Sequence, residues 1–253
     1  MKRLLCANPQ TDIYQIATVF RSEEHGRFHA SQFSMLEWYR VGMDHHALMD
    51  DTQSLLQHLW ESFDLDFPTV HKRSYCKEVQ LRLGCYPDEL SGEVVRGYFD
   101  KHNRSFPQGL DSDLSACLDL FMDEFVVPEF DADGITFLYE YPASRAALAR
   151  TTTTPDGVDV AERFEVFAGR VELANGFHEL ADATVQSARF MDDLQLRQAR
   201  SQRSVPIDEN LIAALTQGLP DCAGIALGLD RLHMILGEHT HIRSALSFDD
   251  ERA

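Results

Sequence analysis

The sequence predicts an α+β fold, with a mostly antiparallel sheet flanked by helices. Three observations lead there. Strand-like segments lie near both ends of the chain, helical stripes fill the middle, and no internal repeat divides the 253 residues. Strands at the two ends must then meet in one sheet around the helical section.

Residues 12–20 (DIYQIATVF) alternate and are rich in β-branched and aromatic side chains, which predicts a strand. Residues 33–39 (FSMLEWY) supply an antiparallel partner, with the polar stretch 23–32 as the hairpin loop. Met49, Thr52, Leu56, Leu59 and Phe63 share one helical face. Tyr75, Val79 and Leu83 share another, stopped by Gly84. Residues 102–112 read as a surface loop. Leu114, Cys117, Leu118, Phe121 and Phe125 form a third stripe, closed near Pro128. Strands return at 134–141, 163–167 and 170–174, the last two joined at Ala168-Gly169. Helices are predicted over 184–200 and 211–217. The run 224–236 (GIALGLDRLHMIL) passes from strand to helix through Gly228.

A hydrophobic fraction of 44% suits a large globular core. No apolar run reaches the length of a membrane span, and MKRLLCANPQTD has no sustained apolar stretch after its basic residues. The expected location is the cytoplasm. Five cysteines, an odd number without a C-x-x-C pair, argue against a disulfide framework or a zinc site. A net charge of −18 opposes broad nucleic-acid binding, though it leaves room for a local basic pocket.

Four places carry candidate chemistry. Arg21 ends the first strand and Phe33 begins the second, so a guanidinium able to grip phosphate meets a flat ring able to stack on a base. A solvated hairpin with a core phenylalanine explains the same residues. Glu37 and Tyr39 sit two apart on a strand, hence on one face, where a carboxylate and a phenol suit an ammonium group. A surface salt bridge is the plain alternative. Glu172, Asn175 and Glu179 place two carboxylates and an amide among apolar neighbours, a hard oxygen set that suits Mg²⁺. Carboxylates at a strand end facing water would look alike. Finally, Gly224, Ala226 and Gly228 alternate along a strand that a ligand could approach closely, with Arg231 at the start of the next helix. Close packing alone also produces such a strand.

Taken in this order, the segments resemble motifs 2 and 3 of the class II aminoacyl-tRNA synthetases. FRSEEHGRFHASQFSMLEWYR resembles motif 2, GIALGLDRL resembles motif 3, and RFEVFAGRVELANGFHEL resembles the segment before motif 3 in the lysine-type subgroup. MLEWYR, YPASRAALA, LPDCAGIALGLDRL and the ending ALSFDDERA are similar to the elongation factor P–lysine ligases in particular. The resemblance spans almost the whole chain and implies one class II catalytic core over residues 1–253, an antiparallel sheet flanked by helices.

It also implies roles. Arg21 would bind the ATP α-phosphate, with Glu23 beside the adenine and the aminoacyl group. His29 would lie near the phosphates, and Phe33 would stack on adenine. Arg231 would meet the γ-phosphate. Glu172 and Glu179 would bind Mg²⁺, Asn175 would position the amino acid, and Glu37 and Tyr39 would hold its side-chain ammonium. Ala226 stands where lysyl-tRNA synthetases usually have glycine. The implied reaction joins lysine or β-lysine to a lysine of elongation factor P through an aminoacyl adenylate, without tRNA or membrane. The family is homodimeric.

Two departures shape the expectation. The family's loop H-N-P-E-F reads His29-Ala30-Ser31-Gln32-Phe33 here. The sequence opens at MKRLL, which in the family follows a T-S-P-E segment and motif 1. A chain lacking both is expected to be a poor ligase. The competing expectations are an inactive paralogue that binds nucleotide or a protein partner, and a fragment of a lysyl-tRNA synthetase.

Overall fold

The computed structural model describes residues 1–21 and 26–247. The elements run α1 Lys2–Ala7, β1 Ile13–Phe20, β2 Gln32–Val41, α2 His45–Ser62, β3 Val70–Ser74, α3 Tyr75–Leu83, α4 Gly92–Lys101, α5 Leu114–Phe121, β4 Ile135–Pro142, β5 Thr151–Thr153, β6 Asp159–Ala168, β7 Val171–His178, α6 Ala183–Ala199, α7 Glu209–Gln217, β8 Cys222–Gly228 and α8 Leu229–Leu236. The sheet order is β1-β2-β8-β7-β6-β4-β3, with β5 paired to β6. Strands from the two ends of the sequence therefore meet at the β2–β8 pair, as the α+β reading requires. All pairs are antiparallel except β3 with β4. The short VHKRS run of β3 has no clean alternation, and β3, α4 and β5 are additions to the elements that the sequence predicts.

Local chemistry sets the boundaries. The Asp44 side chain accepts from the Ala47 backbone amide and starts α2, a cap worth about 1 kcal/mol. Gly84 stops α3 at φ 84°, a left-handed conformation that glycine adopts without a Cβ penalty. The stripe from Leu114 does not stay α-helical to Phe125. It loosens into a π turn over Met122–Val126 and a 3-10 turn over Val127–Glu129. Pro128 supplies no amide donor there, so a continued α-helical ladder would be broken.

The two faces of the sheet are packed differently. On one face α2 lays Leu48, Met49 and Leu56, all fully buried, against Phe137, Phe164, Ile225 and Leu227. Each such side chain contributes about 1.5–3 kcal/mol by leaving water. On the other face α3, α4 and α5 cover one end through Val79, Phe99 and Phe121 against Leu138 and Tyr141. Near the β2–β8 pair, α1 and α7 bring Leu5 and Leu215 onto Tyr39 and Cys222. The five cysteines are all free thiols. Among the described residues no helix is long and apolar enough to cross a membrane.

Candidate active site

Because strand side chains alternate, residues paired across neighbouring strands form ranks on one face. One rank runs Gln15, Glu37, Ala226, Asn175, Glu165 across β1, β2, β8, β7 and β6. The next runs Ile13, Tyr39, Gly224, Phe177, Arg163. On the other side of the first lie Met35 with Gly228, and then Phe33. Glu172 joins this face by a local irregularity. Val166 pairs with Ala174 but Phe167 pairs with Glu172, so Leu173 is an extra residue in β7.

A cavity of about 300 Å³ opens on this face. Arg21, His29, Phe33, Glu172, Asn175, Ala226 and Arg231 all line it. Glu23 lies outside the described residues. The cations are held in place. Arg231 donates from Nε to the Phe28 carbonyl at 3.0 Å and from Nη1 to the Glu172 carbonyl at 2.7 Å. Its Nη1 is also 3.6 Å from the Glu172 carboxylate. The Arg21 guanidinium sits 5.5 Å from the centre of the Phe33 ring. The Ser34 amide donates to Asp230 at 2.5 Å, tying the start of α8 to β2.

Two residues in this cavity escaped the sequence reading. Glu165 and Arg163 line it beside Glu172 and Asn175. Arg163 donates to the Asn175 side-chain oxygen at 3.3 Å and forms an ion pair with Glu165. The signal was present: both are charged residues on one face of the apolar strand RFEVFA. Glu172 keeps 41% of its side-chain surface, but that surface faces the cavity and protein surrounds it. This confinement, and then the charge of Glu165, push its carboxyl up to about 7, while Arg231, Arg163 and Arg21 pull it down. Two carboxylates crowded among three guanidinium groups have the chemistry to take a cation together with a polyanion.

Glu179 is placed elsewhere, which differs from the expectation that it shares an ion with Glu172. The two are seven residues apart along β7 and its end, roughly 20 Å at strand rise. Glu179 does not line the cavity. It is 1% exposed and ion-paired with Lys2 of α1. The carboxylate that adjoins Glu172 is Glu165.

Glu179 instead joins Tyr39. Gly224 has no side chain, and a Cβ there would stand 2.5 Å from Tyr39 Cε1 and 2.9 Å from Glu179 Oε1. The Tyr39 ring and the Glu179 carboxylate thus meet above the bare backbone of β8. Burial, then Glu179, then Glu37 hold the Tyr39 phenol protonated far above its ordinary range. Glu37 accepts from the Gln15 amide at 2.6 Å. Glu37 shares the rank of Ala226 and Asn175, and Tyr39 with Glu179 closes the acidic group from the next one.

Comparison with known proteins identifies the family. The family model "tRNA synthetases class II (D, K and N)" matches residues 1–252. An elongation factor P–(R)-β-lysine ligase of Vibrio atlanticus is 42% identical over 253 residues, covering all of this chain and 76% of the relative. The protein of the same name from Vibrio parahaemolyticus is 42% identical over 248 residues, covering 98% of this chain and 74% of the relative. That from Vibrio cholerae is 40% identical over 253 residues, covering 76% of the relative.

Proposed function

Since this chain belongs to the class II tRNA synthetase family, among the elongation factor P–(R)-β-lysine ligases, we propose that it joins lysine or β-lysine to a lysine of elongation factor P, using ATP and passing through an aminoacyl adenylate. The observation that carries the reading is the placement of side chains across one face of the sheet. Groups suited to phosphate lie at one side, groups suited to an alkyl ammonium at the other, and Asn175 and Ala226 stand between them.

Arg21 and Arg231 neutralise phosphate charge, and Phe33 offers its ring to the base. Glu172 and Glu165 fit Mg²⁺, because two crowded carboxylates, one pushed up to about 7, gain from a hard cation. Bound there, Mg²⁺ would supply charge for the nucleotide phosphates. Asn175, held by Arg163, orients the amino acid between the two ends of the site. Glu37 and Tyr39 select the substrate by its ammonium, while Glu179 beside them already has its cation in Lys2. Glu37 is half-buried with no cation of its own among the described residues, so an uncharged side chain placed against it gains less than an ammonium does. The chemical step needs no covalent nucleophile. Positioning and charge neutralisation supply the catalysis.

Self-association is part of this reading. Edge strand β1 turns Tyr14, Ile16 and Phe20 outward, at 74%, 65% and 73% exposure, and a second copy is the proposed cover.

The test is amino-acid-dependent ATP–pyrophosphate exchange, followed by mass analysis of elongation factor P. Exchange with lysine or β-lysine and the matching mass increase are expected. Exchange with leucine or glutamate at equal efficiency overturns the reading.

A further inference from the structure

We propose that His45, Glu162 and His178 form a binding site for a divalent transition-metal ion of the zinc type, on the face of the sheet opposite the ligase cavity. Each residue offers one ligand atom, and the three atoms lie within 4.8 Å of one another. They come from three elements. His45 opens α2, Glu162 lies on β6, and His178 ends β7. Two imidazoles and a carboxylate are a ligand set that zinc accepts, with bonds of about 2.0–2.2 Å, so an ion would draw His45 inward and part the His178–Glu162 contact.

The hydrogen-bond count favours an ion. His178 Nε2 lies 2.8 Å from Asp221 Oδ1, and its Nδ1 lies 2.7 Å from Glu162 Oε2. A single ring proton, given to Asp221, leaves Nδ1 and the Glu162 oxygen as two acceptors facing each other. A second proton or a metal must lie between them. A proton would satisfy that pair but leave His45 unserved. His45 is 7% exposed, and its Nδ1 is buried without a hydrogen-bond partner. A metal takes all three. Asp221, itself paired with Arg150, then plays the outer carboxylate that fixes the tautomer of a ligating histidine. The ion would pin the start of α2 to the sheet beneath it.

The test uses the full chain, dialysed against chelator and titrated with Co²⁺ as a spectroscopic stand-in for zinc. One equivalent should give the visible bands of a low-symmetry nitrogen–oxygen site, and Zn²⁺ should displace it. His45→Ala, checked for folding by circular dichroism, should weaken binding at least about tenfold. Asp221→Asn, which spares every ligand, should weaken it about 10–100-fold. Absence of binding at micromolar Co²⁺ overturns the proposal. So does binding with thiolate charge-transfer bands, or binding that His45→Ala leaves unchanged.

Discussion

The ammonium of Lys2 rests against the carboxylate of Glu179 and lies 5.2 Å from the centre of the Phe177 ring. Both side chains are well covered, Lys2 at 11% exposure and Glu179 at 1%. Burial pushes the Glu179 carboxyl up to about 7, and Lys2 holds it down from going higher. The end of β7 is therefore a place already built to hold an alkyl ammonium, stacked on an aromatic ring and facing an acid.

Lys2→Met should destabilise the chain in a pH-dependent way. A carboxyl whose folded value is raised binds its proton more tightly in the folded state, so stability falls as pH rises from about 4.5 to 7. Without Lys2 that fall continues to higher pH. The expected cost is small near pH 5, where Glu179 takes a proton. Near pH 8.5 it approaches the roughly 3–5 kcal/mol of a broken buried pair. Urea melts at the two pH values measure it, and adding Glu179→Gln should recover most of the loss. Equal destabilisation at both pH values would count against a charged pair.

Glu165→Gln and Glu172→Gln should each weaken Mg²⁺-dependent ATP binding by about 10–100-fold, the scale of one charged contact. Glu179→Gln should leave it unchanged. Calorimetry with and without Mg²⁺ separates the three. A loss with Glu179→Gln as large as with Glu172→Gln would restore the pairing that the sequence suggested and sink the one drawn from the cavity.

Why the sequence misled at this point is a matter of strand geometry. Alternation placed Glu37 with Tyr39 and put Ala226 with its neighbours on one face, because period two needs no knowledge of the partner strand. The sheet itself was legible for the same reason. The extra residue at Leu173 was not, since a bulge is decided by the pairing of β7 with β6. Glu165 was passed over because its partnership with Glu172 exists only across that pair. The Lys2–Glu179 contact joins residues 177 positions apart, through the packing of α1 against the sheet, and no local pattern encodes it.

Glu37→Gln should reduce lysine-dependent exchange by about 10–100-fold and raise the lysine KM, with the ATP KM little changed. Gln15 donates to Glu37 at 2.6 Å, so the carboxylate is oriented before substrate arrives. Gln15→Leu should therefore give a weaker version of the same effect. A rise in the ATP KM as large as that for lysine would place Glu37 in the wrong half of the site.

Gly224→Ala separates the two halves by steric means alone. The glycine has an ordinary negative φ, so alanine brings no backbone strain. Its Cβ, however, would stand 2.5 and 2.6 Å from two atoms of the Tyr39 ring. Neither the ring nor β8 can yield cheaply, because Tyr39 is 8% exposed beneath Leu5 and Leu215. Overpacking of this kind costs about 1–3 kcal/mol, and here it turns the ring away from Glu179. The expected result is a folded chain with lower thermal stability, ATP binding intact and lysine binding lost. Gly228 is the control, because a Cβ there meets nothing nearer than 3.7 Å. Gly228→Ala should leave Tyr39 and lysine recognition untouched, and act, if at all, on the nucleotide. Lysine binding that survives Gly224→Ala would show that the ammonium is held without Tyr39.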